Sequence, residues 1–358
     1  LQEIRPLTSL RGLAALYVVA YHASDAAGVN DAPHGYLAVD LFFVLSGFVL
    51  ALTAARDFAS RGWLASGGFW ARRVARIMPL NLFVVGAIVT ANVLAHGGTG
   101  APPARVACNA LALQGFGTCV SLNAPAWTLS FEWLAYALFP LILGAVLLSP
   151  LALCAASVTG AVLALIVMTV TSGRATLDSS QFGPAWSAIR CVGEMVLGVA
   201  AYRAYAAPRV RAALSSDTVL GLAVIASAAG CIFGERVAAC WIGGDVWAVA
   251  AFPVLILCLA SNNGRLGRAL GWAPLHALGV ISFSIYLLHD PILQRETRLM
   301  AAWRPDWTAQ GAATCMFVLL APVSVIPLAW LSRRLIEVPG RRAVRWLLLH
   351  RTAPVPGG

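Results

Sequence analysis

Apolar residues come in long runs, and the short stretches between the runs hold most of the arginines. Runs of about 17–25 residues match a helix that crosses a hydrocarbon core about 30 Å thick. They fall near 8–28, 36–55, 77–96, 127–148, 151–171, 188–206, 218–234, 245–261, 275–293 and 311–332. The pattern predicts an all-α integral membrane protein with about ten transmembrane helices. A shorter apolar stretch at 105–116, bounded by Pro102, Pro103 and Gly115, predicts a re-entrant or interfacial segment.

Arginine placement sets the expected topology, because cytoplasmic connections of a membrane protein hold the excess of positive charge. With the N-terminus inside, 18 of the 25 arginines fall on inner segments. Counting 105–116 as a full crossing would put the basic C-terminal stretch outside. Both termini are therefore expected to be cytoplasmic, with a single transmembrane domain over 1–345 and a short cytoplasmic tail over 346–358. The first run follows Arg5 and Arg11 as the core of a signal peptide would. We read it as retained, because it carries the candidate chemistry described below.

Composition agrees with the run pattern: 59% of residues are hydrophobic, 11% are charged and the mean hydropathy is +0.79. Soluble globular chains carry about 25% charged residues, so cytosolic enzymes and disordered chains are excluded. The basic residues are all Arg, which removes phosphate-loop and Schiff-base lysine chemistry. A net charge of +10 does not imply nucleic acid here, since the arginines sit in short clusters between apolar runs. Eight cysteines form no CxxC pair. The expected topology places Cys108 with Cys119, and Cys231 with Cys240, on the outer side, where each pair is either a disulfide or two free thiols. No HEXXH, dinucleotide-glycine or phosphate-loop pattern occurs, so no metal is expected.

A charge at bilayer depth costs a few kcal/mol, which makes intramembrane ionisable residues functional candidates. These are Arg11, His22, Asp25, Asp40, Glu132, Arg190, Glu194, His289 and Asp290. Arg11 and His22 are eleven positions apart, about 16 Å or three helical turns, on roughly one face. That spacing suits an elongated substrate with an anionic end at the arginine and a reactive end at the histidine. Asp25 is placed to orient the imidazole. Equally, Arg11 would snorkel to headgroups and His22 would bond a neighbouring helix.

Arg11 to His22 resembles the R-x10-H pattern of the acyltransferase-3 family of membrane O-acyltransferases. Further family marks follow in order. Asp40 to Phe48 (DLFFVLSGF) is similar to DxFFxxSGF, and Arg72 to Pro79 resembles RxxR-x-x-P. Trp127, Ser130, Glu132 and Tyr136 resemble WxxSxExxxY, and Ser282 to Pro291 (SFSIYLLHDP) is similar to SYxxYLxHxP. Glu337-Val338-Pro339 with Arg341 and Arg342 matches a closing ExP with basic residues. The likeness covers about 5–345.

The resemblance implies transfer of an acyl group, usually acetyl from acetyl-CoA, to a hydroxyl of a carbohydrate acceptor in a bacterial inner membrane. An acceptor of macrolide type is the alternative. His22 is then the general base. Glu132 shares a helix face with Tyr136 and would orient the imidazole or the acceptor, with Tyr136 donating to the oxyanion; Ser130, on a different side of that helix, is a further catalytic candidate. Arg11, Arg73 and Arg76 are candidates for the CoA phosphates, because the guanidinium fork matches phosphate. Asp40, Ser46 and His289 are candidates on the acceptor side, although Ser46-Gly47 also suits close helix packing. A proton-coupled transporter or flippase would use the same buried charges, but the inverted repeats that mark such folds are not evident.

Overall fold

The computed structural model describes residues 3–29, 34–172, 183–238, 244–304, 306–309 and 311–350. Among these residues the regular structure is helical. The helices, in chain order, are α1 (Arg5–Ala26), α2 (Leu37–Arg61), α3 (Ser66–His96), α4 (Pro103–Ala110) and α5 (Trp127–Val146). Then follow α6 (Leu151–Ser172), α7 (Pro184–Ala206), α8 (Pro208–Ala213), α9 (Asp217–Ala238) and α10 (Gly244–Ser261). Last come α11 (Arg265–Leu270), α12 (Ala273–Val280), α13 (Ser282–Trp303), α14 (Gly311–Ser332), a π turn (Arg333–Glu337) and α15 (Val338–His350). Several boundaries follow from local chemistry. Prolines occupy the first turn of α1, α4, α7 and α12, where a missing N–H costs nothing. Gly97 ends α3 in the left-handed conformation at φ 71°, which a side chain would strain.

The ten-span expectation does not hold. Among the described residues, four stretches are long and apolar enough to cross a membrane: Leu37–His96, Ala124–Val146, Leu151–Met168 and Gly311–Leu349. A fifth arises if Ala273–Val280 and Ser282–Trp303, bent by 64°, count as one span. Every other apolar run also folds as a helix, but as one that is shorter or more polar. Asp217–Phe233 and Asp245–Ser261 are apolar but short. α1 carries Arg5, Arg11, His22 and Asp25, and α7 carries Arg190, Glu194 and Arg203. The alternation of sides that put both termini in the cytoplasm loses its basis with the count.

The 105–116 stretch is short, as its flanking prolines imply. It forms α4 and a single turn at Gln114–Phe116, and Cys108 is bonded to Cys119 across it. Cys240 lies outside the described residues. α15 runs through the expected boundary at 345, and residues 351–358 lie outside the described part.

The core is built on α2 and α7, which pair extensively with each other. Glycines permit it. A Cβ on Gly198 would overlap the Val44 carbonyl, and one on Gly47 would overlap the Met195 carbonyl, so the two backbones touch. α1 meets α12 the same way, through Gly12 and Gly279. Gly198→Ala is therefore expected to cost about 1–3 kcal/mol, the usual penalty for overpacking. Thermal melting in detergent reads this, and an unchanged Tm would mean that the backbones are not in contact. α6 and α14 lie at the periphery, with apolar side chains such as Leu151 and Leu319 about 73% exposed, as suits a surface facing lipid. The chain is an all-α, mostly membrane-embedded protein.

Candidate active site

Five helices converge on one polar cavity. Arg11 comes from α1, Ser46 from α2, Arg76 from α3, Glu132 from α5, and Phe283 and Tyr286 from α13. The cavity encloses about 500 Å³, its open mouth included. A second lobe of about 350 Å³ shares Arg11, Phe42, Ser46 and Arg76, and adds Arg73 and Tyr136. The close approach of α1 to α12 carries Arg11 up to the elbow at Ile281, which explains how residues 271 positions apart, Arg11 and Ser282, line one space.

Aromatic faces hold the arginines. The Arg73 guanidinium lies 5.7 Å from the Phe69 ring and 5.9 Å from the Tyr136 ring, and Arg76 lies 5.9 Å from Phe283. Ring quadrupoles attract these cations without using up their N–H groups. Nε of Arg73 is buried and has no hydrogen-bond partner among the described residues. Tyr136 donates to Glu132 Oε2 at 2.5 Å. Glu337 lies close behind but is occupied: it accepts from Ser284 at 2.9 Å and pairs with Arg341. Three arginines against Glu132 leave the cavity net positive, and guanidinium N–H groups aimed into a low-dielectric space suit a phosphate-bearing ligand.

The other end of α1 holds a second cluster. The His22 and His289 rings stack with centroids 5.2 Å apart and planes 27° from parallel. His289 is fully buried, with Nδ1 2.6 Å from the Tyr286 carbonyl. A carbonyl only accepts, so Nδ1 carries the proton, and Nε2, which has no hydrogen-bond partner among the described residues, presents a lone pair when the ring is neutral. Tyr286 connects the two regions. It lines the cavity, its hydroxyl donates to the Pro125 carbonyl at 3.0 Å and accepts from Thr128 at 3.2 Å, and its ring is 5.8 Å from His289. Asn123 donates to the Leu287 carbonyl at 2.9 Å and further straps α13 to the 123–126 turn.

Not every candidate joins these clusters. Glu132 and Tyr136 line the cavity with Arg11. Asp25 is exposed at the end of α1. Asp40 faces α7, where Arg190 binds both its oxygens, Nε to Oδ1 at 2.6 Å and Nη2 to Oδ2, and Glu194 lies 3.8 Å from the same guanidinium. Ser130 pins the preceding turn, donating to the Ala112 carbonyl at 2.8 Å and accepting from Gly115 N–H at 2.9 Å. Ser46 lines both lobes, whereas Gly47 makes the helix contact. Tyr286 and Thr128 were missed as site residues although both lie inside the motifs quoted above. The signal was their position in those motifs.

Comparison with known proteins gives concordant results. The family model for an acyltransferase domain, Acyl_transf_3, matches residues 6–330. MdmB of Streptomyces mycarofaciens, named as an acyltransferase, is 30% identical over 98% of this chain and 93% of its own length. YrhL of Bacillus subtilis, assigned as a peptidoglycan O-acetyltransferase, is 26% identical over 94% of this chain. The chain spans about half of YrhL, 54% of its length. Protein 2 in the picA locus of Rhizobium radiobacter is 46% identical over 79 residues, 22% of this chain and 40% of its own. No solved structure matches.

Proposed function

The chain belongs to the Acyl_transf_3 family of acyltransferases, and from that premise we propose that it moves a short acyl group, acetyl in the simplest case, from acyl-CoA to a hydroxyl of a carbohydrate acceptor. The setting is a bacterial inner membrane, and the acceptor is a cell-envelope or exported polysaccharide. The observation that carries this reading is the arrangement along α1: Arg11 lines the cavity with Arg73 and Arg76, and His22 stands three turns further on, against His289.

The donor's phosphates are held by Arg11, Arg73 and Arg76, and the residues fit that task. The Nε of Arg73 is without a hydrogen-bond partner, and both loop-proximal arginines keep their N–H groups free of the rings they lie over. The acyl thioester then extends past Tyr286 toward the paired imidazoles. His22 takes the proton of the acceptor hydroxyl as its oxygen bonds to the acyl carbon and the thioester C–S bond breaks. The proton then passes to the departing sulfur, so the step balances without another reactant. His289, its ring fixed by the Tyr286 carbonyl, accepts from a second acceptor hydroxyl and orients the sugar. Glu132 and Tyr136 act at the donor end by keeping the arginine cluster in place.

Radiolabelled acetyl-CoA turnover by the purified protein tests the proposal, with envelope glycans, including peptidoglycan fragments, and macrolide-type hydroxylated compounds as acceptors. Label is expected in a glycan. Label only in small hydroxylated compounds would replace the acceptor class, and no transfer to any acceptor by folded protein would end the reading. In the same assay, Arg73→Ala and Arg76→Ala are each expected to raise the donor KM about tenfold or more, as loss of a charge-assisted contact predicts. A donor KM unchanged in both would show that the phosphates bind elsewhere.

A further inference from the structure

A second basic cavity lies behind the first, between α12, the π turn and α15. His276, Val280 and Ile281 form one wall, and Trp330, Arg333, Arg334 and Arg342 form the other. It encloses about 1200 Å³, its open side included. Among the described residues no carboxylate lines it. Glu3 is held outside the lining by Thr8 at 2.7 Å and His276 at 3.1 Å, both on Oε1, and the nearby Glu337 is taken by Ser284 and Arg341. Three arginines therefore face one concave space without a counter-charge on its wall.

Their geometry suits a phosphate. Nε of Arg333 donates to the Val280 carbonyl at 3.0 Å, which fixes the guanidinium plane and leaves its outer N–H groups for a ligand. Arg334 lies 5.4 Å from the Trp330 ring, and Arg342 is exposed on the first turns of α15. Both stay hydrogen-bond donors in these positions. What surrounds the cavity decides the kind of phosphate. Trp330 is 53% exposed, Leu331 45% and Leu335 58%, and α15 continues with exposed Trp346, Leu347 and Leu348 beside its arginines. Tryptophan and leucine among arginines on one surface is the pattern of a helix at the membrane interface. A ligand that offers both phosphate and hydrocarbon matches this rim, and a water-soluble one does not.

We propose that this cavity binds the headgroup phosphate of an anionic membrane phospholipid. The site also has a structural consequence. Val280 and Ile281 form its wall, while Ser282 and Phe283, the next two residues, line the polar cavity of α1, α3 and α5. A lipid phosphate held by Arg333 braces the elbow between α12 and α13 from behind.

Native mass spectrometry of the full-length protein in detergent tests this, with phosphatidylglycerol and phosphatidylcholine of identical chains as probes. One phosphatidylglycerol should be retained and phosphatidylcholine should not. Arg333→Gln/Arg334→Gln/Arg342→Gln should weaken retention tenfold or more. The single change Arg342→Gln, on an exposed side chain that does not endanger folding, should weaken it measurably. Equal retention of the two lipids, or unchanged retention in both variants, overturns the proposal. A soluble phosphate is tested separately: displacement of phosphatidylglycerol by CoA or inorganic phosphate, with loss of CoA affinity in the triple variant, would assign the cavity to the acyl donor instead. Lipid retention does not depend on acyl transfer, so failure of the one leaves the other standing.

Discussion

Replacing His22 with alanine is expected to lower kcat for acyl transfer by about 10²–10⁴-fold, the usual contribution of a positioned general base. The donor KM should stay within about twofold, because an interaction made only in the transition state leaves ground-state binding unchanged. The structure makes this split a sharp test. His22 lies about 16 Å of helix from Arg11, so its loss leaves that contact to the donor's phosphates in place. The imidazole stacks on His289, and thermal melting of the variant separates loss of catalysis from loss of folding. If kcat were kept, His22 would not be the base, and His289, with its lone pair at Nε2, would be the next group to change. If instead KM rose with kcat unaffected, the histidine would be holding substrate.

Arg190→Ala is expected to destabilise the protein by about 3–5 kcal/mol, the range for removing one partner of a buried ion pair. Arg190 and Asp40 are both about 1% exposed or less, and Glu194 shares the guanidinium at 3.8 Å. Without the arginine, two fully buried carboxyl groups are left without their shared cation. Arg190 also donates to the Tyr36 carbonyl at 3.1 Å, so its loss frees the start of α2 as well. Thermal melting in detergent should show the loss directly. Removing all three charges together, as Asp40→Asn/Arg190→Gln/Glu194→Gln, should recover most of it, because the cost lies in the uncompensated charge more than in the missing contact. A triple variant no more stable than Arg190→Ala would show that packing, not charge, is what the arginine supplies. This pair gives Asp40, an acidic residue at membrane depth, a buried partner on α7.

The parts of the site that were legible in the chain are those made within one helix. Arg11 and His22 at a spacing of three turns, Glu132 and Tyr136 one turn apart, and Arg73 with Arg76 all follow from helical periodicity. In the structure Glu132 does meet Tyr136, and Arg11 shares its cavity with Arg73 and Arg76. Motif order placed these residues in a family, which the match over 6–330 supports. Periodicity was silent on partners from other helices. Nothing near Asp40 announces Arg190, 150 positions away, and nothing near His22 announces His289. The count of spans failed for a related reason. An apolar run records composition, whereas crossing a bilayer also requires length and freedom from charge, and α1 and α7 each carry several charged residues.

Helix content, the membrane setting and the chemical class of the site were thus written in local order along the chain, because the hydrophobic run and the helical repeat act over a few residues. Which charges share the cavity, which of them pair across helices away from it, and the stacking of two histidines far apart in the chain were decided only by packing. Those depend on which backbones approach closely, as at Gly47 with Gly198 and Gly12 with Gly279, and a contact between distant segments has no period for the sequence to display.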